Sequence, residues 1–94
     1  MAEAPTPTHV ILVAATTDTA GLAGSITETL REKGIAAVHA IGAAAVNQAL
    51  KGVIVSRGHL VTGGLDLMMV PSFFTTVIDN KDMTGVRLLL TLKT

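Results

Sequence analysis

The chain has 94 residues, of which 49% are hydrophobic and only 15% are charged, and its seven basic and seven acidic side chains leave a formal net charge of zero. This length fits one small domain, which buries roughly 60–65% of the surface of its unfolded chain. The absence of cysteine excludes disulfides, thiolate metal sites and cysteine nucleophiles. Because the net charge is zero, electrostatic repulsion between copies of the chain is weak, and we expect a homodimer or a higher homo-oligomer.

The N-terminal region lacks the basic segment followed by an apolar segment that marks a secretion signal. Residues 1–8 contain Pro5 and Pro7 among small polar residues, so they are predicted to form a flexible tail before a single domain over residues 9–94. The longest nearly apolar run, residues 35–46, is shorter than the roughly 20 residues that cross a bilayer. We therefore expect a cytoplasmic protein with no membrane partner.

A strand and a helix are predicted first. The apolar run at residues 10–14 is typical of a buried strand, and Thr16–Thr19 is a cluster of helix-capping residues. Apolar residues then recur at helical spacing until Gly34, which is a common residue at a helix end. A capping box at Ser25 and Glu28 offers an alternative, later start for this helix.

A second strand and a second helix follow. Residues 35–41 are apolar, so the first three elements predict a βαβ unit with parallel strands and a right-handed crossover. Gly42 allows a tight turn into a helix from Ala43 to about Arg57, which Gly58 is expected to end. The apolar stripe of this helix comprises Val46, Ala49, Leu50, Val53 and Ile54, and its polar side comprises Asn47, Gln48 and Lys51.

The remaining sequence predicts two strands. After a turn at Gly63 and Gly64, a third strand covers residues 65–70, and Pro71 indicates an edge position or a bulge before residues 73–78. Residues 79–82 are turn-forming, and period-two patterning predicts a final strand that pairs with its predecessor as an antiparallel hairpin. The fold class is therefore α/β, a two-layer β-α-β-α-β-β arrangement with a mixed four-stranded sheet and both helices on one face.

This order resembles the stage V sporulation protein S family, whose fold is related to the Alba chromatin proteins. The resemblance covers nearly all of residues 10–92. The matching residues are Leu30–Gly34, Ala40–Ala43, Asn47–Ala49, Lys51, Ser56–Gly58, Asp66 and Pro71. The resemblance to this family implies a bacterial regulatory protein linked to sporulation or development. By the more distant likeness to Alba, it implies a homodimer that presents the start of its second helix and its last hairpin to nucleic acid.

Two positions depart from these families. Thr16 stands where the sporulation family usually has a lysine after the first strand. Ala43 follows Gly42 at a position where Alba proteins tend to be basic, although here the chain agrees with the sporulation family. Both departures lower the positive charge available to phosphates, and likeness of fold does not replace that charge.

The candidate nucleic-acid-binding residues are Gly42, Asn47, Gln48, Lys51, Arg57 and Lys81. Lysines can contact phosphates, amides can bind sugar or phosphate oxygens, and the helix start after Gly42 supplies backbone N–H groups. The alternative is that the lysines are ordinary solvated charges and the amides lie at a contact between subunits. Arg57, near a helix end, is predicted to complete the helix terminus or to form an internal ion pair.

No metal site, cofactor or catalytic centre is predicted. His9, His39 and His59 lack the close spacing of zinc ligands, and Asp66, Asp79 and Asp82 form no recognisable catalytic pattern. The favoured hypothesis is weak, sequence-nonspecific binding of DNA or RNA by a homodimer that is not an enzyme. The alternative is a protein-interaction or oligomerisation module that does not bind nucleic acid.

Overall fold

The computed structural model describes residues 10–93, so the tail predicted at residues 1–8 lies outside the described residues. The elements follow the predicted β-α-β-α-β-β order. They are β1 (Val10–Val13), α1 (Thr19–Lys33), β2 (Ile35–Ala40), α2 (Ala43–Val61), β3 (Asp66–Ile78) and β4 (Lys81–Lys93).

The four strands form one mixed sheet in the order β1-β2-β4-β3. β1 pairs with β2 in parallel, whereas β4 pairs with both β2 and β3 in antiparallel orientation. One face of the sheet packs on both helices, and its residues Val38, Leu88 and Leu90 are buried in the core. The opposite face, here called the open face, includes Leu12, His39, Val70, Phe74 and Arg87. The predicted mixed sheet with both helices on one face is confirmed.

Helix α1 begins and ends at the predicted residues. Asp18 is its N-cap, and the carboxylate accepts a hydrogen bond from the N–H of Gly21 at 2.8 Å. Gly34 adopts the left-handed conformation with φ of 74°, and its N–H donates to the carbonyl of Leu30. The alternative start at Ser25 is therefore wrong, because Ser25 lies in the second turn of a helix that Asp18 already caps.

Helix α2 continues past its predicted end at Arg57 and includes Gly58 before it stops at Val61. A glycine costs a helix interior about 1 kcal/mol, and burial of Leu60 in the core outweighs that cost. The predicted apolar stripe is also wrong at Ile54, which is 67% exposed. The helix instead buries a side that includes Gly52 and Ser56, which lets α1 approach closely.

The β3–β4 hairpin extends beyond the rest of the sheet. The last rung shared with β2 is at Val86, and the five rungs beyond it form what we call the hairpin arm, residues 74–78 and 81–85. Asp79 and Asn80, both with positive φ, make a two-residue turn, so Lys81 lies in the strand and not in a longer loop. β3 runs through Pro71 at the edge of the sheet, and the predicted edge position is confirmed.

A buried hydroxyl pair joins the two helices and yields a stability prediction. The side-chain oxygens of Thr27 and Ser56 share a hydrogen bond of 2.8 Å. Ser56→Ala leaves Thr27 unpaired inside the protein, so we expect it to lower the free energy of unfolding by about 1–3 kcal/mol. Adding Thr27→Val removes the orphaned hydroxyl and is expected to recover most of that loss, as chemical denaturation will measure. Equal or greater loss in the double variant would contradict this account.

Candidate nucleic-acid interface

The start of α2 exposes backbone donors. Gly42 is the N-cap with φ of 92°, and no side chain caps the helix. The carbonyl of Gly42 accepts the first helical hydrogen bond, from the N–H of Val46 at 3.0 Å. Ala43 and Ala44, in the first turn, are exposed. Because the first N–H groups of a helix have no partner within it and lie at the positive end of its dipole, this surface attracts anions.

Gln48 and Lys51 form a polar pair beside this helix start. The side-chain amide of Gln48 donates to the carbonyl of Thr17 at 2.8 Å and contacts Thr19 Oγ1 at 3.4 Å. Lys51 Nζ donates to Gln48 Oε1 at 3.1 Å. Within residues 10–93, no carboxylate lies within 4.0 Å of Lys51. The β1–α1 loop thus fixes Gln48, and Gln48 positions an ammonium group that is free of any ion pair in this part of the chain.

Asn47 borders a groove between α2 and the hairpin. This groove has a volume of about 450 Å³, and its lining includes Gly42, Asn47, Phe73, Thr84 and Gly85. Phe73 is 80% exposed. Phe73 was not among the nucleic-acid-binding residues predicted from the sequence, although Phe73 and Phe74 are the two Phe, Tyr or Trp residues of the chain. Asn47 and the exposed Phe73 therefore line the same groove, which also includes Gly42 at the helix start.

Arg57 lies away from this cluster. Its Nε donates to a carboxylate oxygen of Asp66 at 3.0 Å, which matches the ion pair that sequence reasoning offered for this residue. Ten residues of helix separate Arg57 from Asn47, a rise of about 15 Å. Both partners are substantially exposed, so the pair contributes little to stability and is weakened by salt.

Lys81 is also remote from the helix start. It pairs with Ile78 in the last rung of the hairpin arm, five residues beyond Val86, which corresponds to about 16 Å along the strand. Asp79 and Asp82 flank the same tip, so it carries two carboxylates for one ammonium group. The structure therefore places Asn47, Gln48 and Lys51 within the first three turns of α2 after Gly42, and Arg57 and Lys81 lie outside this segment.

A cluster on the open face was not predicted. Arg87 Nε donates to His39 Nε2 at 2.9 Å, and the rings of His39 and Phe74 stack with centroids 4.1 Å apart. Phe74 crosses over Gly85 to reach His39, since a Cβ at Gly85 would lie 2.6 Å from the phenyl ring. Partial burial, and secondly the Arg87 guanidinium, lower the pKa of His39 below its ordinary value of 6.5.

This lowered pKa predicts a pH dependence of stability. The folded state favours neutral His39, so the unfolded chain takes up a proton first as the pH falls below about 6.5. The free energy of unfolding is therefore expected to decrease from pH 7 to pH 5. His39→Gln, which keeps an acceptor for Arg87, is expected to flatten this decrease in urea titrations, and His59→Gln is the matched control. Parallel pH profiles for the wild type and His39→Gln would contradict the prediction.

Among residues 10–93, no three His, Asp or Glu side chains are grouped closely enough to hold a metal ion. His9 lies outside this range. No helix in the described part of the chain has the length and apolar character that a membrane span requires.

Comparison with known proteins agrees with the fold described above. Alba from Thermoplasma volcanium is similar over 92% of this chain and 100% of its own, with a TM-score of 0.59 and 12% sequence identity, a likeness that shows the fold. A family model described as stage V sporulation protein S (SpoVS) matches residues 9–93. The match spans every strand and helix described above, and the chain belongs to the stage V sporulation protein S family.

Proposed function

We propose that this protein is a regulatory protein that binds DNA or RNA weakly and without sequence specificity as a homodimer. The observation that carries the proposal is the exposed start of α2, where uncapped N–H groups lie near Asn47 and the ammonium group of Lys51. The family's name and the Alba-like fold support a role in sporulation or development that involves nucleic acid.

The chemistry of this surface favours phosphate contacts over base readout. Backbone N–H groups, amides and a lysine bind phosphate or sugar oxygens, which are the same in every sequence. Lys51 is the one cation of the cluster, and affinity for nucleic acid comes largely from counterions released by clustered Lys and Arg. Binding by one copy is therefore weak, and a dimer that presents two such surfaces strengthens it through multivalency.

Self-association is supported by exposed apolar side chains. Phe73 and Val77 project from the hairpin on the side of the sheet that packs on the helices, and both are mostly exposed. Large apolar side chains that remain in contact with water favour contacts between subunits. A homodimer that covers Phe73 would keep the neighbouring α2 start at the rim of the contact.

The alternative function is a protein-interaction module that does not bind nucleic acid. The specific observation in its favour is the tip of the hairpin arm, where Asp79 and Asp82 outnumber Lys81. Carboxylates at this position repel the phosphate backbone. The zero net charge of the chain points in the same direction.

Fluorescence anisotropy with labelled duplex DNA and duplex RNA, at 50 mM and 200 mM salt, separates the two functions. We expect an affinity that falls steeply with salt, and a Lys51→Ala variant that binds several-fold more weakly with a log–log salt slope reduced by about 1 for each lost phosphate contact. Lys33→Ala, which removes an equal charge at the far end of α1, is the control.

Failure of the wild type to bind at high protein concentration and 50 mM salt would favour the interaction module. An equal loss of affinity in Lys51→Ala and Lys33→Ala would show that the net charge of the protein sets the affinity, which would contradict binding at the start of α2. Light scattering tests the dimer separately, and a strict monomer at high concentration would contradict it.

A further inference from the structure

The open face is more positive than the chain as a whole. The register places Lys81, Arg87 and Lys93, six residues apart along β4, on this face. Within the described strands, Asp66 is the one carboxylate residue on the open face, and Arg57 already forms an ion pair with it. The strands of this face therefore carry three cations and one carboxylate, although Asp79 and Asp82 lie beside Lys81 at the tip of the hairpin arm.

The same face offers a recess for a flat apolar group. A cavity of about 510 Å³ lies between β1 and the hairpin arm. Its lining includes Leu12, His39, Phe74, Thr76 and Ile78 of the open face, and it extends to Ile41 and Ala45 at the start of α2. This volume lies in the range of small-molecule pockets. Leu12 is 78% exposed at its rim. The stacked residues His39 and Phe74 and the polar residue Thr76 are part of its lining.

Two cations neighbour residues that line this recess. Arg87 is fixed beside it through its Nε–H bond to His39, and its terminal nitrogens form no hydrogen bond to residues 10–93. Lys81 is the register partner of Ile78, which lines the cavity. An occupant that places an apolar ring in the recess and negative groups beside it satisfies both features.

A second copy of the chain suits this face poorly. Two open faces packed together would place six cations and two carboxylates in one interface, and this excess of like charge opposes the attraction between exposed apolar side chains such as Leu12, Met68 and Val70. Single-stranded nucleic acid has the complementary pattern, because its unpaired bases stack on aromatic rings and its phosphates bind Lys and Arg. A duplex keeps its bases stacked inside and cannot fill the recess.

We propose that the open face is a second nucleic-acid surface, which binds single-stranded RNA or DNA with a base against the His39–Phe74 stack and phosphates on Arg87 and Lys81. This surface adjoins the start of α2, because Ile41 and Ala45 also line the cavity, but its cations lie on β4 and not on α2. It gives the protein two modes of binding, one for duplexes and one for single strands.

The test is an anisotropy titration of the full chain with a labelled 12-nucleotide oligo(dT), in parallel with a 12-base-pair duplex. We expect Arg87→Gln and Phe74→Leu each to weaken oligo(dT) binding at least fivefold and to change duplex binding less than twofold. Lys33→Gln is the charge-matched control, with less than a twofold effect on oligo(dT). Lys81→Gln, at an exposed position that does not support the fold, is expected to weaken oligo(dT) binding at least threefold.

Three results would overturn the proposal. The first is oligo(dT) binding that stays within twofold of wild type in the Arg87, Phe74 and Lys81 variants. The second is an equal loss in Lys33→Gln. The third is dissociation of a wild-type oligomer by Leu12→Lys in light scattering, which would assign the face to contacts between copies. Failure of Lys51→Ala to alter duplex binding counts against the α2 surface alone, so the two proposals fail separately.

Discussion

Gly52→Val is expected to lower the free energy of unfolding by about 2–4 kcal/mol, a large fraction of the stability of a small domain. Gly52 lies on the buried side of α2, where that helix crosses α1. A Cβ there would lie 2.5 Å from Leu22 Cδ2 and 2.6 Å from Leu22 Cγ. Because Leu22 is buried in the core, it cannot move aside without separating the helices or leaving its own packing site.

The matched control is Gly58→Ala in the same helix. A Cβ at Gly58 meets nothing within 4 Å, so alanine adds only its higher helix propensity, and we expect a gain of up to about 1 kcal/mol. Chemical denaturation at one fixed protein concentration measures both variants, which keeps any oligomer contribution constant. A Gly52→Val variant as stable as the wild type would show that the helices are not in close contact at this glycine.

The double variant Asp79→Asn, Asp82→Asn is expected to bind duplex nucleic acid about tenfold more tightly at 50 mM salt, since the hairpin tip changes from net negative to net positive. Asp79 has a φ of 51°, and asparagine adopts this left-handed conformation readily, so the turn is preserved. In a dimer the change acts on two arms.

The control for this gain is Glu28→Gln, Glu32→Gln, which removes the same charge from α1. If that variant binds as tightly as the hairpin variant, net charge alone sets the affinity. If the hairpin variant gains nothing at low salt, the arm does not approach the phosphate backbone, and the interaction module becomes the better account of the protein.

Local sequence signals predicted most of the fold. Asp18 and Gly34 bound α1 because capping and left-handed geometry depend on residues next to each other in the chain. Period-two alternation similarly located β4. The end of α2 could not be found this way, since the buried contact of Leu60 with the core outweighs the local preference of Gly58.

In the candidate site, too, the local neighbours could be predicted from the sequence and the long-range contacts could not. Asn47, Gln48 and Lys51 are neighbours because helical spacing puts them on adjoining turns, which the sequence alone predicts. The bond from Gln48 to Thr17 joins residues 31 positions apart, and the bond from Arg87 to His39 joins residues 48 positions apart. Such pairs depend on strand register and helix packing, so no local pattern indicates them.

Pro71 has a consequence for how far copies can assemble. β3 is a 13-residue edge strand, and the unpaired backbone groups of a long edge strand allow a neighbouring molecule to add a strand to the sheet. Pro71, near the middle of this strand, has no backbone N–H to donate to an added strand, and its ring occupies the space that the added backbone would need. Pro71 therefore disfavours growth into fibrils by successive strand addition along β3.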